Sequence, residues 1–308
     1  MNKLNTNTAH SSTSSEFDIQ DMLILIWKHK LFVSLVTIIG IIISITYSLS
    51  IKNTYISYAK LLPVSEQNMS NQASQFSGLA AFAGIQMDPT TKANDAIERL
   101  QSFAFFNNEI YEGNEVFSAS LLAAKSWDAN SKQIEFDFDS FDDKKNIWRT
   151  SKPTERKVYK AFISKLDIKT EPGSSLVTLS FEHISPIFAK KTLDKIIYKL
   201  NESERVYDEI QANKSIKYLN AQLSTNNINE IKDVLSELLK SEIQKIVLVK
   251  AKDEYIFKTI DLPFIPEEKS GPHRSFICIA GAFLSFVLSV LLLLAFNFYE
   301  AFRNIRST

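Results

Sequence analysis

SFICIAGAFLSFVLSVLLLLAFNFY, residues Ser275 to Tyr299, decides how the rest of this chain is to be read. These 25 residues carry no charge, and Arg274 and Glu300 close them off on either side. A helix rises about 1.5 Å per residue, so the run is about 37 Å long and crosses a hydrocarbon core of about 30 Å with some tilt. A soluble protein buries a helix this apolar only in a large interior, and the chain has too little other apolar sequence to build one. The stretch is expected to be a transmembrane helix.

A second run answers it near the start. Leu31 to Ile51 is 21 residues without a charge, bracketed by Lys30 and Lys52. A signal peptide cleaved at Ser48-Leu49-Ser50 is the competing reading, but the apolar run is longer than a usual h-region and follows a long polar lead. An uncleaved anchor fits better. The expected division is 1–30 as an N-terminal segment, 31–51 as the first span, 52–274 as a central polar domain, 275–299 as the second span and 300–308 as a tail. Two spans put both termini on one side. Lys28, Lys30, Arg303 and Arg306 flank that side, and Lys52, Lys60, Lys269 and Arg274 flank the other, so basic residues alone do not set the orientation.

The chain balances 35 basic against 35 acidic residues, which leaves no net field to gather nucleic acid. Its one cysteine, Cys278, sits in the second span, so the central segment has neither disulfide nor thiol chemistry. His10, His29, His183 and His273 are scattered without ligand spacing, and no metal is expected. There is no Gly-x-x-x-x-Gly-Lys-Ser/Thr loop and no Gly-x-Ser-x-Gly elbow. The pairs Asp142-Asp143 and Glu267-Glu268 read as solvated surface. An enzyme is not expected, nor a cofactor.

Within the central segment, Tyr55 to Val64 alternates as a strand should, with Pro63 near its end. Before the first span, Ile19, Met22, Leu23 and Ile26 recur at helical spacing, as in a short surface helix running to Trp27. The small apolar patch Ser77 to Ile85 interrupts a polar stretch. Asn94 is placed to cap a helix over about Asp95 to Tyr111. Residues 112–150 carry no clear periodicity. Pro153-Thr154-Glu155 opens a helix with an apolar stripe at Val158, Phe162, Ile163 and Leu166. Leu166 to Thr170 and Leu176 to His183 flank Pro172-Gly173, an order that fits a type II turn and makes a β-hairpin.

Ser185-Pro186 then starts a long helix, with Ser as N-cap and Pro at the first helical position. Leu193, Ile197, Leu200, Tyr207, Ile210, Ile216, Leu219 and Leu223 keep helical period for about 60 Å. A polar break at Ser224 to Asn227 precedes a second helix, with Ile231, Val234, Leu235, Leu238, Ile243 and Val247, about 35 Å long. The pair, about 185–251, is expected to fold back as a protruding hairpin, because a strand over Tyr255 to Leu262 must follow. Pro263, Pro266, Gly271 and Pro272 then form a stiff lead into the membrane.

Leu176-Val177-Thr178-Leu179-Ser180-Phe181-Glu182-His183, followed by Ser185-Pro186 and Ala189-Lys190-Lys191, resembles the chain-length determinant (Wzz-type) polysaccharide co-polymerases. So do Glu254 to Asp261 with the proline segment after them, and the small-residue stretch Ser77 to Ile85. With a span at each end, the resemblance runs over nearly the whole chain and is weakest at 112–150. It implies an α+β membrane protein of the bacterial inner membrane, with two transmembrane helices flanking a periplasmic α/β base that carries a long helical hairpin. It also implies cytoplasmic termini, a ring-like homo-oligomer, and work beside an integral-membrane polysaccharide polymerase to set the modal length of a lipid-linked glycan such as O-antigen. No catalytic residues carry over. A two-span envelope scaffold or sensor without a glycan role is the competing function.

One further expectation comes from the spans themselves. Gly40, Ser44 and Ser48 recur every four residues in the first, and Gly281, Ser285 and Ser289 in the second. Small residues at that spacing let membrane helices approach closely. Counted inward, Ser44 lies at the depth of Gly281 and Gly40 at that of Ser285, so the spans are expected to pack antiparallel on these stripes, within or between protomers.

Overall fold

The computed structural model describes residues 26–64, 89–171, 174–226 and 228–306. It divides into two compact units, one holding both terminal helices and the other running from Lys52 to Gly271. The surface segment at 15–25, the patch at 77–85 and the turn at Pro172-Gly173 lie outside the described residues.

The first unit is a helix pair, α1 (Lys30–Ser50) and a C-terminal helix (Arg274–Arg306). Both contain an apolar stretch long enough to cross a bilayer, Lys30–Ser50 and Arg274–Asn297. Leu31, Ile38, Ile42 and Leu49 on one helix, and Phe276, Phe283, Leu284 and Leu291 on the other, are exposed. An apolar surface of that extent belongs in lipid.

The second unit is built on a four-stranded antiparallel sheet in the order β6-β7-β1-β8, from Leu166–Thr170, Val177–His183, Tyr55–Pro63 and Phe257–Asp261. Register is set by the pleat. Ala59 and Leu61 in β1, and Val177, Leu179 and Phe181 in β7, are buried on one face, with Ala59 opposite Leu179 and Leu61 opposite Val177. The start of α5 (Pro186–Thr225) covers this face with Ala189, Leu193, Ile196 and Leu200. Helix α4 (Glu155–Ile163) adds Val158 and Phe162, whose ring lies 5.6 Å from Phe181 and 4.9 Å from Phe106. Leu166, read in sequence both as the end of that stripe and as the start of the hairpin, is the first residue of β6.

The helix expected over 95–111 is broken. Helix α2 (Pro89–Leu100) ends first, and a new turn opens at Ser102, whose Oγ accepts the Phe105 N–H at 3.1 Å. Phe103–Phe105 then runs into a π-helix, Phe106–Tyr111. The wider turn brings Phe106, Ile110 and Tyr111 all into the core, which a straight α-helix does not allow. Glu112 and Gly113 then both take positive φ to end it.

Residues 112–150 hold α3 (Glu115–Leu122), capped by Asn114, and two small hairpins. These are β2 (Ala124–Asp128) with β3 (Gln133–Phe136), and β4 (Phe141–Asp142) with β5 (Ile147–Trp148). Strands of two to five residues are too short to show an alternation in sequence.

Helix α5 is 40 residues and packs along α6 (Asn229–Ala251), which is 23 residues. The Ser185 Oγ accepts the Phe188 N–H at 3.2 Å, as the N-cap requires. The burial along α5 departs from the apolar stripe read in sequence. Tyr207 and Ile210 are about half exposed, and the row that turns inward is Leu200, Glu204, Asp208 and Ala212. Strand β8 is also shorter than expected and starts at Phe257.

Candidate functional site

The proline lead is laid against β1. Ser57 Oγ donates to the Phe264 carbonyl at 2.7 Å, and the Ile56 N–H donates to Ser270 Oγ at 3.1 Å. The Phe264 ring meets Tyr58 edge-on at 4.8 Å, and Pro263 and Pro266 are buried. Thr54 N–H donates to the Gly271 carbonyl at 3.0 Å, and Ser270 N–H returns a bond to the Thr54 carbonyl at 2.8 Å. A Cβ on Gly271 would stand 3.0 Å from Thr54 Oγ1, a tight contact that glycine avoids.

A buried polar row on α5 holds the chain where it returns from α6. The Asn201 carbonyl oxygen accepts N–H bonds from Tyr255, Ile256 and Phe257 at 3.1, 2.9 and 2.9 Å, while its amide donates to the Phe257 carbonyl at 3.1 Å. Tyr255 and Ile256 therefore bond to a side chain instead of to a strand, which is why β8 begins later than expected. One turn or two further on, Arg99 of α2 pairs with Glu204 at 3.0 Å, and Lys92 pairs with Asp208 at 2.7 Å. Asp208 also accepts the Tyr255 hydroxyl at 2.6 Å and faces Lys245 of α6 at 3.8 Å.

The electrostatics follow from burial. Burial pushes the Asp208 carboxyl up, but the bonds from Lys92 and Tyr255 outweigh it and hold the group below its ordinary range. Glu204 goes the other way, raised by burial despite Arg99. The Tyr255 hydroxyl is raised by burial and by its bond to Asp208. Spacing alone did not reveal this row. Its signal was in the sequence all the same, because Asn201, Glu204 and Asp208 stand in phase with Leu193, Ile197 and Leu200.

His183, at the end of β7, is fully enclosed. Its Nδ1 accepts the Ser185 N–H at 3.0 Å, so Nε2 carries the proton and donates to the Ser120 carbonyl at 2.8 Å. The ring joins the sheet, the cap of α5 and α3, and packs on Phe188 at 4.4 Å. Burial first, against these two bonds, lowers its pKa from 6.5 to about 4.

In the helix pair, the structure places Gly281 against Ser44 and Gly40 against Ser285. A Cβ on Gly281 would lie 3.8 Å from the Ser44 Cα and run into its side chain, and one on Gly40 would lie 3.6 Å from the Ser285 Cα and do the same. Ser44 Oγ donates across the pair to the Ile277 carbonyl at 3.0 Å. Ser48 and Ser289 are buried, and the Ser289 hydroxyl bonds within its own helix to Phe286.

Residues 15–112 match the family model described as Wzz, chain length determinant protein. No curated protein matches the chain. Among solved structures the chain is similar to a full-length bacterial polysaccharide co-polymerase, at 12% identity and a TM-score of 0.41, over 94% of this chain and 100% of that one. It is also similar to a fragment of WzzB, a polysaccharide co-polymerase from Salmonella Typhimurium, at 12% identity and a TM-score of 0.31, over 71% of this chain and 100% of that one.

Proposed function

We propose, from the match of residues 15–112 to the Wzz chain length determinant family model, that the chain is a non-enzymatic regulator of the modal length of a lipid-linked surface polysaccharide. The glycan is the O-antigen of lipopolysaccharide or a related polymer. The protein acts as a ring-like homo-oligomer beside the polysaccharide polymerase. It sits in the bacterial inner membrane with both termini cytoplasmic and residues 52–274 periplasmic. The carrying observation is that the family match falls on a chain whose two apolar helices bracket an α/β base with a long helix pair.

Other features support parts of this reading. Ile231, Val234, Leu238 and Val247 of α6, with Val206, Ile210 and Tyr218 of α5, leave an apolar surface that suits a neighbouring copy. The close approach of Gly40 to Ser285 and of Gly281 to Ser44 favours packing of the two spans on their small-residue stripes within one protomer. The bonds from β1 to Phe264, Ser270 and Gly271 favour Pro263, Pro266, Gly271 and Pro272 as a fixed lead.

The test is a gel of surface polysaccharide from the native host with and without this gene. Collapse of a clustered band into a short unregulated ladder, restored on complementation, is the expected result. An unchanged ladder hands the protein to the scaffold or sensor class.

A further inference from the structure

Helix α3 and the two small hairpins form a lobe with an interior of its own. Ala119 and Ala123 close on Phe141, with Phe136 and Trp148 packed around them, in a cluster separate from the main core. Phe141 and Trp148 stand opposite each other in the β4–β5 pair and share its inner face. Alternation therefore turns Asp142, Ile147 and Arg149 to the outer face. A tight turn brings Phe138 to the same side. The Asp137 carbonyl accepts the Ser140 and Phe141 N–H groups at 3.0 and 2.9 Å, and Ser140 Oγ donates to the Asp137 carboxylate at 2.6 Å. The Arg149 guanidinium lies 3.6 Å from the Phe138 ring centroid and donates to Asp142 at 2.7 Å. Phe138 and Ile147 nonetheless stay more than half exposed. They make an apolar facet with an arginine at its rim.

What covers this facet follows from its tether. Lys52 is the second residue after α1 ends at Ser50, and its Nζ donates to the Ala124 carbonyl at 2.9 Å, where β2 begins. The neighbouring Ala123 carbonyl accepts the Asp137 N–H at 2.8 Å, immediately before Phe138. Two residues and one lysine side chain thus join the end of a membrane-length helix to the root of the facet. We infer that the facet rests on the bilayer surface, with Phe138 and Ile147 at the level of the headgroups and Arg149 on lipid phosphate. Apolar side chains lie at the boundary of headgroup and acyl chain, while an arginine stem follows them and keeps its charge in the polar layer. Residues 115–152 carry seven acidic against six basic side chains, so apolar burial, and not attraction to anionic lipid, holds the lobe down.

This membrane foot is independent of any role in glycan length and requires only that the two apolar helices span. The full chain, with Cys278 replaced, is given one cysteine at a time, Asp139→Cys, Ile38→Cys or Tyr218→Cys. Each is spin-labelled and reconstituted in nanodiscs of phosphatidylcholine and phosphatidylethanolamine. Relaxation by oxygen, which favours lipid, is compared with relaxation by a neutral nickel chelate, which favours water. Ile38, exposed on α1, sets the lipid limit, and Tyr218, exposed on α5, sets the aqueous one. The oxygen-to-nickel ratio at 139 is expected to lie severalfold above that at 218, and to persist in high salt. It should fall to the aqueous value when Phe138→Asp and Ile147→Asp are added, with circular dichroism showing that the fold is kept. An aqueous ratio at 139 without those changes overturns the foot. So does a ratio that the two aspartates leave unchanged, or one that high salt abolishes. A label shielded from both reagents overturns it as well, because a protein surface then covers the facet. With a lipid-like ratio at Ile38 each of these removes the foot and leaves the spans; a water-like ratio there removes both.

Discussion

Asn201 shows how much a single amide carries when it is buried in the right place. Its oxygen satisfies the N–H groups of Tyr255, Ile256 and Phe257, which otherwise lie buried or half-buried without a strand partner. Leaving such groups unpaired costs about 1–3 kcal/mol each, relieved in part where water enters. Asn201→Ala is therefore expected to destabilise the central domain by about 3 kcal/mol, read as a fall in melting temperature of roughly 10 °C. Asn201→Asp keeps the acceptor and should fall between the two. A melt of Asn201→Ala that overlays wild type sinks the clip. His183 makes the pH counterpart. Between about pH 6.5 and pH 4 the unfolded chain binds a proton that the folded ring does not. Its contribution is thus whole above pH 6.5 and is lost as pH falls toward 4, amounting to about 3 kcal/mol. Melts of wild type and His183→Gln across that window should converge as the pH drops, and parallel curves would show that the ring does not set the slope.

Elements with a sustained period were legible in the sequence. Helices α5 and α6, strands β1, β6 and β7, and both apolar spans follow from patterns that repeat over many residues. The π-helix at Phe106–Tyr111 was not, because one widened turn shifts the helical phase and a stripe read at 3.6 residues runs past it. The inward row of α5 was hidden for a related reason. A buried charge is costly unless paired, and the partners Lys92, Arg99 and Tyr255 lie far away in the chain. Of the residues singled out beforehand, Pro263, Pro266, Gly271 and the glycine–serine stripes had signals confined to their own segments. At this scale the helix pair makes a sharp prediction. Gly281→Leu should push α1 and the C-terminal helix apart, because the space a side chain needs is filled by Ser44. With Cys278 replaced, spin labels at the exposed positions Leu35 and Leu291 should report a larger separation in membranes when Gly281→Leu is added. An unchanged separation would mean that the helices do not pack on these residues.

For the molecule as a whole, the proposed ring rests on what the stem leaves uncovered. Val249 is the one α6 residue among those described that is fully buried, although the helix carries aliphatic side chains along its length. The stem thus has more apolar surface than its two helices conceal from each other. Val234→Glu with Leu238→Glu is expected to reduce the assembly, by mass measurement in detergent, to smaller species with unchanged helix content. An assembly of the same mass would place the contact elsewhere. The Thr54–Gly271 bridge has a different consequence, one for engineering. The central unit starts and finishes at the same doorway, so it is a closed circuit hung from two adjacent threads. A domain of that kind can be lifted out and grafted into a surface loop of an unrelated soluble host, or its ends can be joined and new ones opened elsewhere, without asking the interior to rearrange.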